Sequence, residues 1–301
     1  MLEVLTKYLP LFEKEINKTN SEIPSEYPNS ETFDFWDDFR EVFLENYNKD
    51  LNMNNDFQEF ILNTICDHDL EIYKDFNEEQ LIYTLLAIIN TDRICDGLLS
   101  DKTDDGTIYA VLKELHKIDL KNKILNTICD IWKKELQDDY NKGLLLNEDT
   151  LKCAFYFHLR NKLNNLMMEN NLSIYTEYLG NEFKGLKYRP DMVVVKFKDN
   201  CKEEYLMDHI EEVIIAIELK FKGKNEYDSI IADREKIREY VRCIDNKCQY
   251  ILGVIHEKYW EYPFWLDNRQ ANNWVKGRVT ELVANYDNPN EVNMNFQTLI
   301  Y

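Results

Sequence analysis

Arg189-Pro190-Asp191-Met192-Val193-Val194-Val195 is followed, after a polar insert, by Val213-Ile214-Ile215-Ala216-Ile217-Glu218-Leu219-Lys220-Phe221. Both runs are β-branched and apolar, as buried strands are, yet each carries charge. Asp191 stands at the start of the first, and Glu218 and Lys220 stand near the end of the second. Side chains alternate faces along a strand, so Glu218 and Lys220 share one face while Ile217 and Leu219 point to the other. A carboxylate and an ammonium on an apolar strand are costly unless paired, solvated or bound to a metal ion. That cost marks a candidate site.

Working outward, Asn147 or Asp149 is placed to cap a helix from Thr150 to about Met168, after Gly143 ends the helix before it. A first strand is expected at Leu172–Tyr178, a turn at Leu179–Lys187, a second strand at Arg189–Lys196 and a third at Val213–Phe221. Lys198–Glu212 is a polar, acidic insert. A helix follows at Asp228–Arg242, and a fourth, apolar strand at Tyr250–His256. If the first two strands form an antiparallel hairpin, its turn centres near Lys184. Glu177 and Asp191 are equidistant from that centre and would be cross-strand neighbours.

Pro190-Asp191 and Glu218-Leu219-Lys220, with 26 residues between Asp191 and Glu218, resemble the motif of the PD-(D/E)xK nuclease superfamily. The order helix, strand, strand, strand, helix, strand resembles the core of that superfamily too. The resemblance covers roughly residues 147–258. It implies an α/β, restriction-endonuclease-like core, which here follows a region whose own periodicity reads as all-helical, and a metal-dependent nuclease acting on DNA more than RNA, in restriction or anti-phage defence. It implies catalytic roles for Asp191, Glu218 and Lys220, with Glu177 as a supplementary carboxylate. Asp191, Glu218 and Glu177 would hold Mg²⁺, or Mn²⁺ in its place. Glu148 is the rival for the supplementary role, though a first-turn acid is also favoured by the helix dipole. Mg²⁺ prefers a few carboxylates together with water and phosphate oxygens. Lys220 would orient or help deprotonate the attacking water and stabilise charge in the transition state. The structural alternative is a salt bridge between Glu218 and Lys220 on an edge strand, with Asp191 capping a turn.

The remaining sequence sets bounds. The net charge of −20 is uneven, with 15 Lys and Arg against 31 Asp and Glu in residues 1–145, and 21 against 25 in residues 146–301. The two segments are read as an acidic, all-helical region of unknown role and a nuclease-like domain with an aromatic-rich extension. Asn77 and Gln80 fit a capping box ahead of Leu81–Ile94. The heptamer Ile61–Asp67 recurs at Ile124–Asp130, and similar amphipathic helices arising independently are preferred over a true repeat. An acidic surface disfavours nonspecific nucleic-acid binding. A second class of function is therefore a binding or regulatory protein whose acidic half engages a basic partner while the other half is scaffold. Homo-oligomerisation through the helical half is a third.

Seven scattered Cys suit reduced thiols and a cytoplasmic setting. The start, Met1-Leu2-Glu3-Val4, lacks a signal-peptide pattern, and Leu81–Ile89 is too short to span a bilayer, so no membrane partner is expected. Arg189 is either a phosphate contact or a strand-end charge, Lys222 and Lys224 extend the parity of Lys220 and could meet a backbone phosphate, and Lys236 is read as solvated helix surface in preference to facing the site. Tyr259, Trp260, Tyr262, Phe264, Trp265 and Trp274, interleaved with Arg269, Lys276 and Arg278, either stack bases or pack on the sheet. His158 is read as a satisfied core histidine. Cys243 and Cys248 lack the second pair a zinc site needs.

Overall fold

The computed structural model describes the chain apart from residues 1, 20–29, 48–58, 60, 62, 66–68, 95–96, 181–188, 200–201, 203, 223–226, 244–247, 260, 262, 267, 289 and 292. It forms two compact units, Met1–Asn122 and Lys123–Tyr301. The first is helical among its described residues, with α1 at Glu3–Thr6, α2 at Leu9–Thr19, α3 at Ser30–Tyr47, α4 at Glu78–Asp92, α5 at Leu98–Asp104 and the start of α6, Thr107–Ile131. Aromatic residues spaced along α2 and α3 pack edge to face, Phe12 on Phe39 at 5.1 Å and Phe12 on Phe35 at 5.2 Å. Leu81, Leu85, Ile88 and Ile89 join them in one core. The expected box at Asn77 and Gln80 caps α4. In the first copy of the repeated heptamer Ile61 and Ile65 belong to this core, while residues 62, 66 and 67 lie outside the described residues.

The expected boundary near residue 145 differs from the observed division, which falls inside α6. Residues 107–141 form one continuous helical run that begins with α6. A π-turn at Trp132–Leu136 leads into α7, Gln137–Asn141. Leu112 and Leu115 face the first core, whereas Trp132 packs on Phe155 and Phe296 of the second unit. Gly143, at φ +72°, ends α7 in a left-handed turn that suits glycine.

The second unit carries α8 (Glu148–Lys162), α9 (Asn164–Glu169), β1 (Leu172–Thr176), β2 (Met192–Phe197), β3 (Ile210–Lys222), α10 (Tyr227–Cys243), β4 (Gln249–His256), α11 (Asn268–Ala271), β5 (Val279–Asn285) and β6 (Asn295–Ile300). The single expected helix after Asn147 breaks at Leu163. The six strands make one mixed sheet in chain order. β1, β2 and β3 are antiparallel, β3, β4 and β5 are parallel, and β6 returns antiparallel on β5. The chain is thus α/β, with a helical N-terminal region and a mixed sheet in its C-terminal half.

Two of these strands, β5 and β6, occupy the segment read as an aromatic-rich extension. Trp265 and Trp274 pack against the sheet core, so packing accounts for them. Gly253 on β4 permits close layering. A Cβ there would lie 2.7 Å from Leu219 Cδ2 and 3.5 Å from Trp132 Cζ3. Among the described residues, no helix is long and apolar enough to cross a membrane.

Candidate active site

β3 lies between β2 and β4, so Glu218 and Lys220 are on an internal strand and the edge-strand alternative is excluded. Pairing with β2 shifts register between Val194↔Ile215 and Val195↔Val213, leaving Ile214 as a bulge. The bulge puts Val213 on the same face as Ala216, and both join the core beneath α10. Glu218 and Lys220 continue that face towards the helix.

Asp191 stands just before β2, where Pro190 supplies no backbone N–H. Its carboxylate extends the ladder, because the Leu219 N–H donates to Asp191 Oδ2 at 2.7 Å. Asp191 therefore caps the β2–β3 ladder instead of a turn. The expected hairpin register holds. Thr176 pairs with Met192, and one step further the Glu177 N–H donates to the Asp191 carbonyl at 3.1 Å.

Three lysines thread the carboxylates. Lys152, on the second turn of α8, lies 2.7 Å from Asp191 Oδ1 and 2.6 Å from Glu177 Oε1. Lys220 Nζ donates to both oxygens of Glu148, at 3.0 and 3.1 Å, and sits 3.5 Å from Asp233 Oδ2. Lys236 on α10 is 2.6 Å from Asp233 Oδ1 and 3.9 Å from Glu218 Oε2. The Tyr240 hydroxyl, one turn along α10, donates to Glu218 Oε1 at 3.0 Å. Asp191 thus pairs with Lys152, Glu218 and Lys220 are joined through Asp233 and Lys236, and the charge of Asp191 acts on both Glu218 and Lys220. The Glu177 carboxylate is exposed and joins through Lys152. Glu148, expected as a first-turn residue, is one and also holds Lys220.

Lys236 faces the site, where a solvated helix surface was the favoured expectation. Lys152, Asp233 and Tyr240 were not foreseen. The spacing Asp233, Lys236, Tyr240 marks one face of α10, but nothing in the sequence tells that face from any amphipathic helix surface. Elsewhere, His158 is partnered by Asp139 at 2.8 Å, and the Arg278 Nε–H donates to the Cys248 carbonyl at 3.4 Å. The turn near Lys184, as well as Lys224, Trp260 and Tyr262, lies outside the described residues.

The electrostatics follow from burial. Glu218 is 2% exposed. Desolvation first, then the negative neighbours Asp191 and Asp233, raises its pKa to about 8, against the pull of Lys236 and Tyr240. Burial works against charge on Lys152, Lys220 and Lys236, but their carboxylate partners outweigh it and hold all three above the ordinary lysine value. An ammonium held this firmly donates and neutralises; it is poorly suited to accepting a proton from water. In this state Lys220 is set to orient a water molecule or to stabilise developing negative charge, and it would have to lose its proton before acting as a base.

Among the described residues, no three His, Cys, Asp or Glu side chains form a ready ligand set for a metal ion. The donor chemistry nevertheless fits a hard divalent cation. The network holds five carboxylates (Glu148, Glu177, Asp191, Glu218 and Asp233) against three ammoniums, an excess of two negative charges. Protonation of Glu218 relieves part of that excess, and Asp233 Oδ2 is buried without a hydrogen-bond partner. Oxygen donors with surplus negative charge suit Mg²⁺ or Mn²⁺. Comparison with protein families, with curated proteins and with solved structures found no match to this chain.

Proposed function

We propose that the second unit is a metal-dependent nuclease with a restriction-endonuclease-like core, hydrolysing phosphodiester bonds of DNA more readily than RNA. One observation carries this reading: the buried carboxyls of Asp191 and Glu218 lie close enough to each other and to Lys220 for their charges to act on one another, among five carboxylates and three ammoniums. Asp191, through Oδ1, and Glu218 would hold the divalent ion. That ion, when bound, would supply Lewis acidity towards a phosphate oxygen and acidify a water molecule.

The chain's own groups do the rest. Lys220, anchored by Glu148 and Asp233, keeps its proton and offers N–H donors to the charge that develops on phosphorus. Lys236 and Tyr240 fix the Glu218 carboxyl in place. Asp191 is oriented by the Leu219 N–H on Oδ2, so its other oxygen, Oδ1, faces one way.

Cleavage of plasmid and single-stranded DNA with Mg²⁺ or Mn²⁺ tests the proposal. Wild type is expected to cut and Lys220→Ala to lose at least about a hundredfold in rate, the scale of a removed transition-state donor. A wild type that neither cuts nor binds metal would turn the argument to the second reading. The observation behind that reading is the excess of 31 acidic over 15 basic residues in positions 1–145. There the acidic half engages a basic partner and the sheet is scaffold.

A further inference from the structure

We propose that Lys152 is a tethered cation that keeps the place of the divalent ion, its ammonium bridging Asp191 Oδ1 and Glu177 Oε1, so that metal binds only as Lys152 leaves. The inference rests on the nuclease reading and adds a control of the same site. Asp191 Oδ2 already accepts the Leu219 N–H at 2.7 Å. The remaining oxygen is the one Lys152 holds at 2.7 Å. An ammonium and a divalent cation on one oxygen repel each other, and the low dielectric of a largely buried site strengthens that repulsion.

Two further observations show that the bridge is built. Lys152 lies four residues after Glu148, so the same face of α8 delivers an acid to Lys220 and a base to Asp191. Glu177 adopts φ +52°, a left-handed conformation uncommon for glutamate, while its N–H bonds the Asp191 carbonyl. That conformation accompanies a carboxylate on the outer side of the Lys152 ammonium, 2.6 Å away. Glu177 itself is exposed, so releasing Lys152 leaves a carboxylate that water readily solvates or that turns to the metal.

The test is Mn²⁺ binding to the full chain, read as loss of the free Mn²⁺ signal in electron paramagnetic resonance. Wild type, Lys152→Met, Lys152→Gln, Lys152→Arg and Asp191→Asn are compared. The expected result is binding about tenfold tighter or more in the Met and Gln variants, near-wild-type affinity in the Arg variant, and loss in Asp191→Asn. Two uncharged replacements are included so that one poorly folded protein, detected by its melting curve, does not decide the matter. Equal or weaker Mn²⁺ binding in the Met and Gln variants would overturn the proposal while leaving the metal-site reading intact. Absence of Mn²⁺ binding in wild type and in every Lys152 variant would overturn both.

Discussion

Glu281 on β5 and Glu218 on β3 are both buried carboxyls whose pKa burial raises, yet their surroundings differ. Glu218 shares its space with Asp191, Asp233 and Lys236. Glu281, wholly buried, accepts from the backbone N–H of Trp265 at 2.7 Å and of Leu266 at 3.4 Å, and from the Tyr301 hydroxyl. These bonds and nearby Arg234 partly offset desolvation, which carries its pKa from 4.5 to about 7. Glu281 therefore fastens the segment around Trp265 and the end of the chain to the sheet, and a raised pKa alone does not mark catalysis. The folded chain holds this proton more tightly than the unfolded chain does. As pH rises from about 4.5 through about 7, the unfolded state is favoured, by about 3 kcal/mol for a shift of this size. Glu281→Gln, which cannot ionise, is expected to gain in melting temperature relative to wild type between pH 5 and pH 8. Parallel melting temperatures across that range would show that Glu281 does not titrate between the two states.

At the scale of the element, α8 organises the site through its N-terminus. The Asn147 side chain accepts from the Thr150 N–H at 2.9 Å, and Thr150 Oγ1 accepts from the Asn147 N–H at 3.0 Å. The first two turns that this box secures carry Glu148 and Lys152. Asn147→Ala should cost about 1 kcal/mol in urea unfolding. On the nuclease reading it should also slow DNA cleavage several-fold, because a frayed start loosens the hold of Glu148 on Lys220. Asn147→Asp should restore both. Loss of stability with unchanged cleavage would detach α8 from the chemistry. The cap was legible in the sequence, as were the strands bearing Asp191, Glu218 and Lys220 and the Glu177–Asp191 register, because capping and period-two patterns are local. Lys152 was not. On one helix, Glu148 and Lys152 look like an ordinary surface pair, and only the sheet reveals that each serves a different strand. β5 was hidden for a related reason: Glu281 interrupts its apolar run, and the bonds that satisfy that carboxyl come from distant segments. The division within α6 was equally silent, since helical periodicity continues while the packing partners change.

Across the whole molecule, charge and chemistry pull in opposite directions. A net charge of −20 repels a polyanion, and residues 1–145 carry most of the excess. On the nuclease reading, a chain with this balance depends on local cations to grip phosphate. Lys220 and Lys236 stand in the network, and Arg189 and Lys222 flank it in the sequence. Four phosphate contacts give a slope of log affinity against log salt no steeper than about −4, since each neutralised phosphate contributes about −0.9. Screening of the acidic half flattens the slope further as salt rises, because the Debye length falls to about 10 Å at 0.1 M. Duplex binding by the Lys220→Ala variant, followed by fluorescence anisotropy across that salt range, should therefore show a shallow dependence. The slope should be shallower still when Lys236→Met is added, because one more contact has been removed. A dependence near −6 or steeper would place the phosphate grip on cations outside this network. It would separate the DNA-binding surface from Asp191, Glu218 and Lys220, and the case for those residues as the catalytic centre would have to be made without DNA binding in its support.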